Sequence, residues 1–278
     1  MGNPWLQRRV LNYAHQGGAR EAPSSTLFAI RQAIANGADA VELDVHATAD
    51  GEVVVCHDPT VDRTTQTTGR LADLTLDQVR QLDNAYWWVP GEVVDHTRAA
   101  ADYVHRGKAP ADHAFAIATL REVLEEFTDV YLNLDIKQSA PVVPAYESQV
   151  AALLKEFGRT DDVIVASFSD SITDAFSEIA PDVHTSCGTN ATAAIYAAVQ
   201  KGEPLPPSRH VALQVPPTFG DRVVVDQRFV DRAHEAGLAV HVWTIDDADE
   251  MRRLIDLGVD GVMTDRPSVL AGVQKSHS

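Results

Sequence analysis

The chain has 278 residues, 45% hydrophobic and 23% charged, a composition that supports a large folded core and argues against disorder. Asp and Glu number 40 against 23 Lys and Arg, and the resulting formal charge of −17 repels phosphate backbones and anionic lipid faces, which argues against nucleic-acid binding. So acidic a chain can handle small phosphates only through local cations, from a metal ion or a few placed Lys and Arg side chains.

Cys56 and Cys187 lie far apart and in no metal-ligand spacing, so they read as buried free thiols of a reducing compartment. Residues 1–9 contain Arg8 and Arg9 but no signal-peptide core. No stretch approaches the roughly 18 apolar residues of a membrane span. The expectation is a cytoplasmic protein without stable membrane insertion.

Along the chain, short β-branched runs alternate with helical segments, the pattern of parallel βα units. Strands are expected at residues 10–15, 40–46, 130–137, 163–168, 184–188, 210–215, 239–245 and 261–265. Ser25 precedes a helical stripe of Leu27, Ile30 and Ile34 that Gly37 closes. Thr119 and Glu122 form a capping box before Leu120, Val123, Leu124 and Phe127. Asp247 and Glu250 open a helix with Met251, Leu254 and Ile255, ended by Gly258. Eight strands at this spacing predict an α/β fold, a (β/α)8 TIM barrel forming one domain over residues 1–278. Gly17-Gly18-Ala19 after the first strand does not satisfy the dinucleotide fingerprint of a doubly wound sheet.

Residues 59–118 separate the second and third barrel strands and are too long for an ordinary loop. A helical piece near residues 75–82 and the run Tyr86-Trp87-Trp88 predict a small inserted subdomain over the barrel mouth. Its aromatic residues also permit a homodimer.

Glu42, Asp44 and His46 alternate along one strand and share a face, while Val41, Leu43 and Val45 take the face that packs on helices. Two carboxylates pointing into a barrel repel unless a cation lies between them; with no lysine on that strand, a divalent metal, Mg or Ca, is the economical neutraliser. The third barrel strand repeats the device, with Leu132, Leu134 and Ile136 outward and Asn133, Asp135 and Lys137 inward. Two readings stand: Asp135 completes a three-carboxylate site and Lys137 meets an anionic substrate, or the two form an internal bridge that ties strands together. His15 ends the first strand before Gln16-Gly17-Gly18, and His57 follows a short strand in hairpin with the second across Asp50-Gly51. One histidine at a strand end is commonly structural; two beside a carboxylate strand suit a general acid and a general base.

The ordered set Ala14-His15-Gln16-Gly17-Gly18, Ala22-Pro23-Ser24-Ser25-Thr26, Gly37-Ala38-Asp39-Ala40-Val41-Glu42-Leu43-Asp44-Val45, Asp50-Gly51 and His57-Asp58-Pro59 resembles the glycerophosphodiester phosphodiesterase family. Leu134-Asp135-Ile136-Lys137, Val242-Trp243-Thr244-Ile245 and Thr264-Asp265-Arg266-Pro267 extend the resemblance to nearly the whole chain. It implies a distorted barrel with one divalent metal, hydrolysing a glycerophosphodiester to sn-glycerol 3-phosphate and an alcohol, through a cyclic phosphate. Carried over by residue, His15 and His57 are the acid–base pair, Glu42, Asp44 and Asp135 hold the metal, Lys137 binds phosphate, Gln16 is a further substrate-binding position, and Trp243 lines the mouth.

The chain departs from the family where Gln16 replaces an Arg, Ser24-Ser25-Thr26 replaces Glu-Asn-Thr, and Asp135 replaces a Glu. Arg20 is a candidate to supply the lost charge. His105-Arg106-Gly107 repeats the family's opening triplet without a preceding strand and reads as a decoy. Two alternative functions remain: a lysophospholipase D-like enzyme whose Trp87 and Trp88 contact acyl chains, and a catalytically idle barrel that binds phosphodiesters.

Overall fold

The computed structural model describes residues 3–6 and 9–277; Met1, Gly2, Gln7 and Arg8, on which part of the leader expectation falls, lie outside the described residues. The chain order is β1 (Leu11–His15), α1 (Leu27–Ala35), β2 (Ala40–Ala47), β3 (Val53–Val55), α2 (Leu76–Val79), α3 (Leu120–Glu126), β4 (Tyr131–Ile136), α4 (Glu147–Glu156), β5 (Val163–Ala166), α5 (Asp170–Ile179) and β6 (His184–Thr185). There follow α6 (Thr189–Lys201), β7 (Ala212–Val215), β8 (Thr218–Phe219), β9 (Arg222–Val223), α7 (Gln227–Glu235), β10 (Ala239–Val242), α8 (Ala248–Asp256), β11 (Gly261–Thr264) and α9 (Pro267–His277).

Eight strands pair in parallel in the order β6-β5-β4-β2-β1-β11-β10-β7, and a parallel bridge between Ser186 and Ala212 joins the two ends into a barrel. The (β/α)8 expectation holds. Side-chain alternation sorts the core into an outer and an inner part. Val41, Leu43, Val45, Leu132, Leu134 and Ile136 pack outward with Leu120, Val123 and Leu124 of α3. Val240, Val242 and Val262 do the same with Phe229, Met251 and Leu254. Inside the barrel, Leu11, Tyr13, Ala40, Ile164, Ala212, Ala239 and Met263 cluster with Trp5, whose Nε1 donates to His184 Nδ1 at 2.9 Å. Gly261 lies in this lumen because a Cβ there would stand 2.7 Å from the Tyr13 ring and 2.9 Å from the His241 ring.

The capping box of α3 forms as expected, with Thr119 and Glu122 exchanging bonds, and Asp247 accepts from the N–H groups of Asp249 and Glu250 at the start of α8. The start of α1 differs from expectation. Thr26, not Ser25, is the cap and accepts from Ala29 N, while Ser25 sits at φ +58 in the tight turn that follows β1. That turn needs Gly17 and Gly18 at φ +82 and +88, where a Cβ on either would approach Ala29 or Pro267 to 3.0 Å.

Residues 59–118 form two small apolar clusters. Val61, Leu71, Val79 and Leu82 pack on Val54 of β3, and Ala85, Ala109 and Phe115 pack on Phe28 of α1. The segment is tied to the loop after β1 by Trp88 Nε1 to Ala19 O at 2.9 Å and Asn84 Nδ2 to Ser24 O at 2.9 Å. None of its residues lines the cavity at the barrel mouth, contrary to the expectation that it sits over the mouth.

Candidate active site

Strand register assembles the polar floor. His15 pairs with Glu42 across β1 and β2, and Asp44 pairs with Asp135 across β2 and β4. The β2–β3 hairpin, with Val45 opposite Val55, returns the chain so that Cys56 N donates to Asp44 O at 3.0 Å and His57 follows at the mouth.

Glu42, Asp44 and Asp135 are all buried and offer oxygen atoms that lie within 4.8 Å of one another. Asp44 Oδ2 and Asp135 Oδ1 accept no hydrogen bond, so two buried oxygens face the cluster without a donor. A set of hard carboxylate oxygens with free lone pairs fits a divalent cation such as Mg or Ca. Lys137 Nζ lies 2.8 Å from Asp44 Oδ1 and 2.7 Å from Asp135 Oδ2. Both readings of the third barrel strand are thus present in one arrangement: an internal bridge, and carboxylates with free valence beside it.

The field of these groups shifts each of them. Burial, with the neighbouring Asp44 charge, pushes Glu42 up to about 8. Asp135 is raised by burial against the opposing pull of Lys137. Lys137 itself would be lowered by burial, but Asp135, Asp44 and Glu42 hold its proton more firmly than usual.

Each mouth histidine is gripped by a carboxylate. His15 Nδ1 is 2.7 Å from Asp265 Oδ1 and its Nε2 is 3.8 Å from Glu42 Oε2. Burial alone would lower His15, yet the Asp265 hydrogen bond and the Glu42, Asp265 and Asp44 charges push it up to about 9. His57 Nδ1 is 2.6 Å from Asp58 Oδ1, whose other oxygen accepts from Arg63 Nε. Burial opposes ionisation of Asp58, but the bonds from His57 and Arg63 bring it down to about 2.

His15, His57, Glu42, Asp135, Lys137 and Trp243 all line one cavity of about 1220 Å³. Asp44 lies behind Lys137 with no exposed surface. Gln16 is at φ +52; its N–H donates to Glu42 Oε2 at 3.2 Å and its side chain is buried beside His15 rather than on the cavity lining.

Arg20 does not replace the lost cation. Its Nε is held by Asp246 Oδ2 at 3.0 Å and its Nη1 donates to Gly91 O, so it is turned away from the cavity. Trp87 and Trp88 are also not on the lining: Trp87 Nε1 donates to Thr65 O, and Trp88 is buried against His105. His105 stacks among Trp88, Phe28 and Phe115, remote from the cavity lining.

Sequence reasoning missed Asp265 and Asp58 as partners of the histidines. It also missed the far wall of the cavity, formed by α6 and the β8–β9 hairpin. The Thr264-Asp265-Arg266-Pro267 motif was the available signal for Asp265. Nothing in residues 216–224 marks a strand pair.

A profile of the glycerophosphoryl diester phosphodiesterase family matches residues 15–269. A glycerophosphodiester phosphodiesterase from Caldanaerobacter subterraneus subsp. tengcongensis is 30% identical over 268 residues, which span 94% of this chain and 96% of that protein. A glycerophosphoryl diester phosphodiesterase domain from Mycobacterium tuberculosis shares the fold with a TM-score of 0.78 at 22% identity, covering 97% of this chain and 100% of that one. A phosphodiesterase from Oleispira antarctica, solved in complex with the product sn-glycerol-3-phosphate, shares it with a TM-score of 0.68 at 21% identity, covering 96% of each chain. With a profile that runs across nearly its full length and a relative of such identity over nearly all of both chains, the chain belongs to the glycerophosphoryl diester phosphodiesterase family of phosphoric diester hydrolases.

Proposed function

We propose that the protein hydrolyses glycerophosphodiesters to sn-glycerol 3-phosphate and an alcohol, with His15 and His57 as its acid–base pair. The observation that carries this reading is that two histidines, each fixed through Nδ1 by its own carboxylate, open into one cavity beside a buried three-carboxylate cluster and a lysine. The product bound in the Oleispira antarctica enzyme is the same glycerol phosphate.

His57, oriented by Asp58, accepts the proton of the glycerol 2-hydroxyl as that oxygen attacks phosphorus. The bond from phosphorus to the alcohol oxygen breaks, and His15, which holds its proton through Asp265 and Glu42, donates it to the departing alkoxide. The cyclic phosphate then opens as water adds, with the two histidines exchanging roles. Lys137 holds a phosphoryl oxygen and offsets the charge that grows on it. Glu42, Asp44 and Asp135 are the residues to hold a divalent cation, which when bound supplies Lewis-acid polarisation of a phosphoryl oxygen. Gln16 Oε1, which accepts no hydrogen bond, is within the same turn and keeps the place that an Arg takes in the family pattern. Trp243 forms part of the wall facing the leaving alcohol.

Residues 59–118, with their own two apolar clusters, are read as a small subdomain within the single barrel domain. They are bonded to the β1–α1 loop at Ala19 and Ser24.

The test is release of glycerol 3-phosphate from a panel of glycerophosphodiesters, with and without Mg, Mn or Ca. Wild type is expected to turn over with metal, and His15→Ala and Glu42→Ala to lose at least about 100-fold. Metal-independent turnover, or full activity of His15→Ala, would overturn the mechanism.

A further inference from the structure

One side-chain hydrogen bond crosses the barrel. Gln214 on β7 and Asn133 on β4 are separated by β5 and β6 in the closed ring, yet Gln214 Nε2 donates to Asn133 Oδ1 at 2.6 Å. Both residues line the cavity that also holds His15, His57 and Lys137. Met263, on the same lining, belongs with Tyr13 and Ile164 to the apolar filling of the lumen. The two amides are therefore a polar crossbar where the cavity meets that filling, while the exposed Phe168 and Phe219 mark its open side.

The bond uses one atom of each amide. Asn133 Nδ2 and Gln214 Oε1 have no partner among the described residues, and neither atom is sealed from solvent, so both open onto the cavity. A crossbar that served only to tie strands would leave no such pair. An uncharged donor beside an uncharged acceptor is matched by one group that is both, a hydroxyl. A carboxylate there would face the bare Gln214 oxygen, and an ammonium the Asn133 amide hydrogens, with nothing in the pair to offset either.

Position points the same way. Asn133 pairs in register with Glu42 and lies two residues before Asp135 on the inward face of β4, about 7 Å of strand. Lys137 Nζ, 2.7 Å from Asp135 Oδ2, marks the phosphoryl end of the site. A three-carbon diol hung from that phosphorus spans the interval down to the amides.

We infer that Asn133 and Gln214 read the glycerol half of the substrate: the hydroxyl that neither carries nor attacks phosphorus donates to Gln214 Oε1 and accepts from Asn133 Nδ2. This rests on the phosphodiesterase reading above and adds to it the residues that select glycerol. Gln214 governs both bonds, since it supplies one acceptor and fixes the Asn133 amide for the other. A substrate with a methyl in place of that hydroxyl leaves both atoms without their partner.

The experiment compares kcat/KM for glycerophosphoethanolamine and for 2-hydroxypropyl phosphoethanolamine of matching configuration, which keeps the attacking hydroxyl and lacks the other, at saturating Mg. Wild type is expected to favour the glycerol substrate by at least about tenfold, the worth of two neutral hydrogen bonds. In Gln214→Met, and separately in Gln214→Ala, that preference falls to about twofold or less, through loss of turnover of the glycerol substrate. Partly unfolded enzyme lowers both substrates alike and leaves the ratio unmoved, and the wild-type ratio needs no variant. A wild type that turns over the two substrates alike, or a preference that both Gln214 variants retain in full, overturns the subsite and leaves the phosphodiesterase reading standing. Turnover of neither substrate, in enzyme that is folded and metal-loaded, overturns that reading and the subsite with it.

Discussion

His15 Nδ1 and Asp265 Oδ1 meet at 2.7 Å although 250 residues separate them, because β1 and β11 are neighbours in the closed barrel. Asp265 is in turn fixed by its own N–H, which donates to Asp246 Oδ1 at 2.9 Å. The pair leaves His15 Nε2 directed toward Glu42 and the cavity.

Asp265→Asn keeps the shape and removes the charge that helps push His15 up to about 9. An acid that must be protonated gives activity that falls as pH rises through its pKa. On the proposed mechanism, wild type is expected to show an alkaline limb at or below pH 9, because a cation bound at Glu42 and Asp44 would offset their share of the push. Asp265→Asn is expected to move that limb to lower pH and to reduce kcat by about 100-fold, with KM little changed. A pH–rate profile identical to wild type would contradict the role.

Lys137 neutralises Asp44 and Asp135 at 2.8 and 2.7 Å. Removing one partner of a buried pair strands the other charges, at a cost of about 3–5 kcal/mol. Lys137→Met is expected to lose about that much stability in metal-free buffer and to recover more of it than wild type gains when Mg or Mn is added. Denaturant titration with and without metal reads both quantities, and equal metal-induced gains in the two proteins would count against a metal site at these carboxylates.

The carboxylate floor was legible because strand alternation has period two: Glu42 with Asp44, and Asn133 with Asp135, declare a face without any tertiary information. The barrel was legible for the same reason, through outward Val41, Leu43, Leu132 and Leu134. Partners made by closure were not, since no local pattern in residues 11–15 points to Asp265. The far wall was hidden differently. β8 and β9 have two residues each, too few for any periodicity, and Pro216, Pro217 and Gly220 around them read as loop. Ser25 and Thr26 are both good caps, and only the positive φ of Ser25 decides between them.

His241 is fully buried in the lumen with neither ring nitrogen hydrogen-bonded, and burial pushes it down to about 3. The unfolded chain binds a proton near pH 6.5 that the folded chain refuses, so the contribution to stability is whole above pH 6.5 and is lost as pH falls toward 3. The slope is about 1.4 kcal/mol per pH unit, or about 2 kcal/mol between pH 6.5 and 5. His241→Leu is expected to flatten the acid side of the stability curve by that amount, as measured by urea unfolding at stepped pH. An unchanged slope would show that His241 finds a proton acceptor inside the barrel.

Arg106 is the structural counterweight to the site. Its guanidinium lies 4.3, 4.5 and 3.6 Å from the ring centroids of Tyr86, Trp87 and Tyr103, and its Nε donates to Tyr86 O at 2.9 Å. Residues 59–118 contribute no wall to the cavity, so loss of this cation should act on stability and not on chemistry. Arg106→Met is expected to cost about 1–2 kcal/mol in denaturant unfolding, from lost cation–π and hydrogen-bond energy. His105→Ala, which vacates the stack between Trp88 and Phe115, should likewise destabilise the segment while keeping kcat within about twofold of wild type, in contrast to His15→Ala. A His105→Ala protein that folds normally but loses activity as His15→Ala does would mean that His105-Arg106-Gly107, rather than His15-Gln16-Gly17, carries the chemistry.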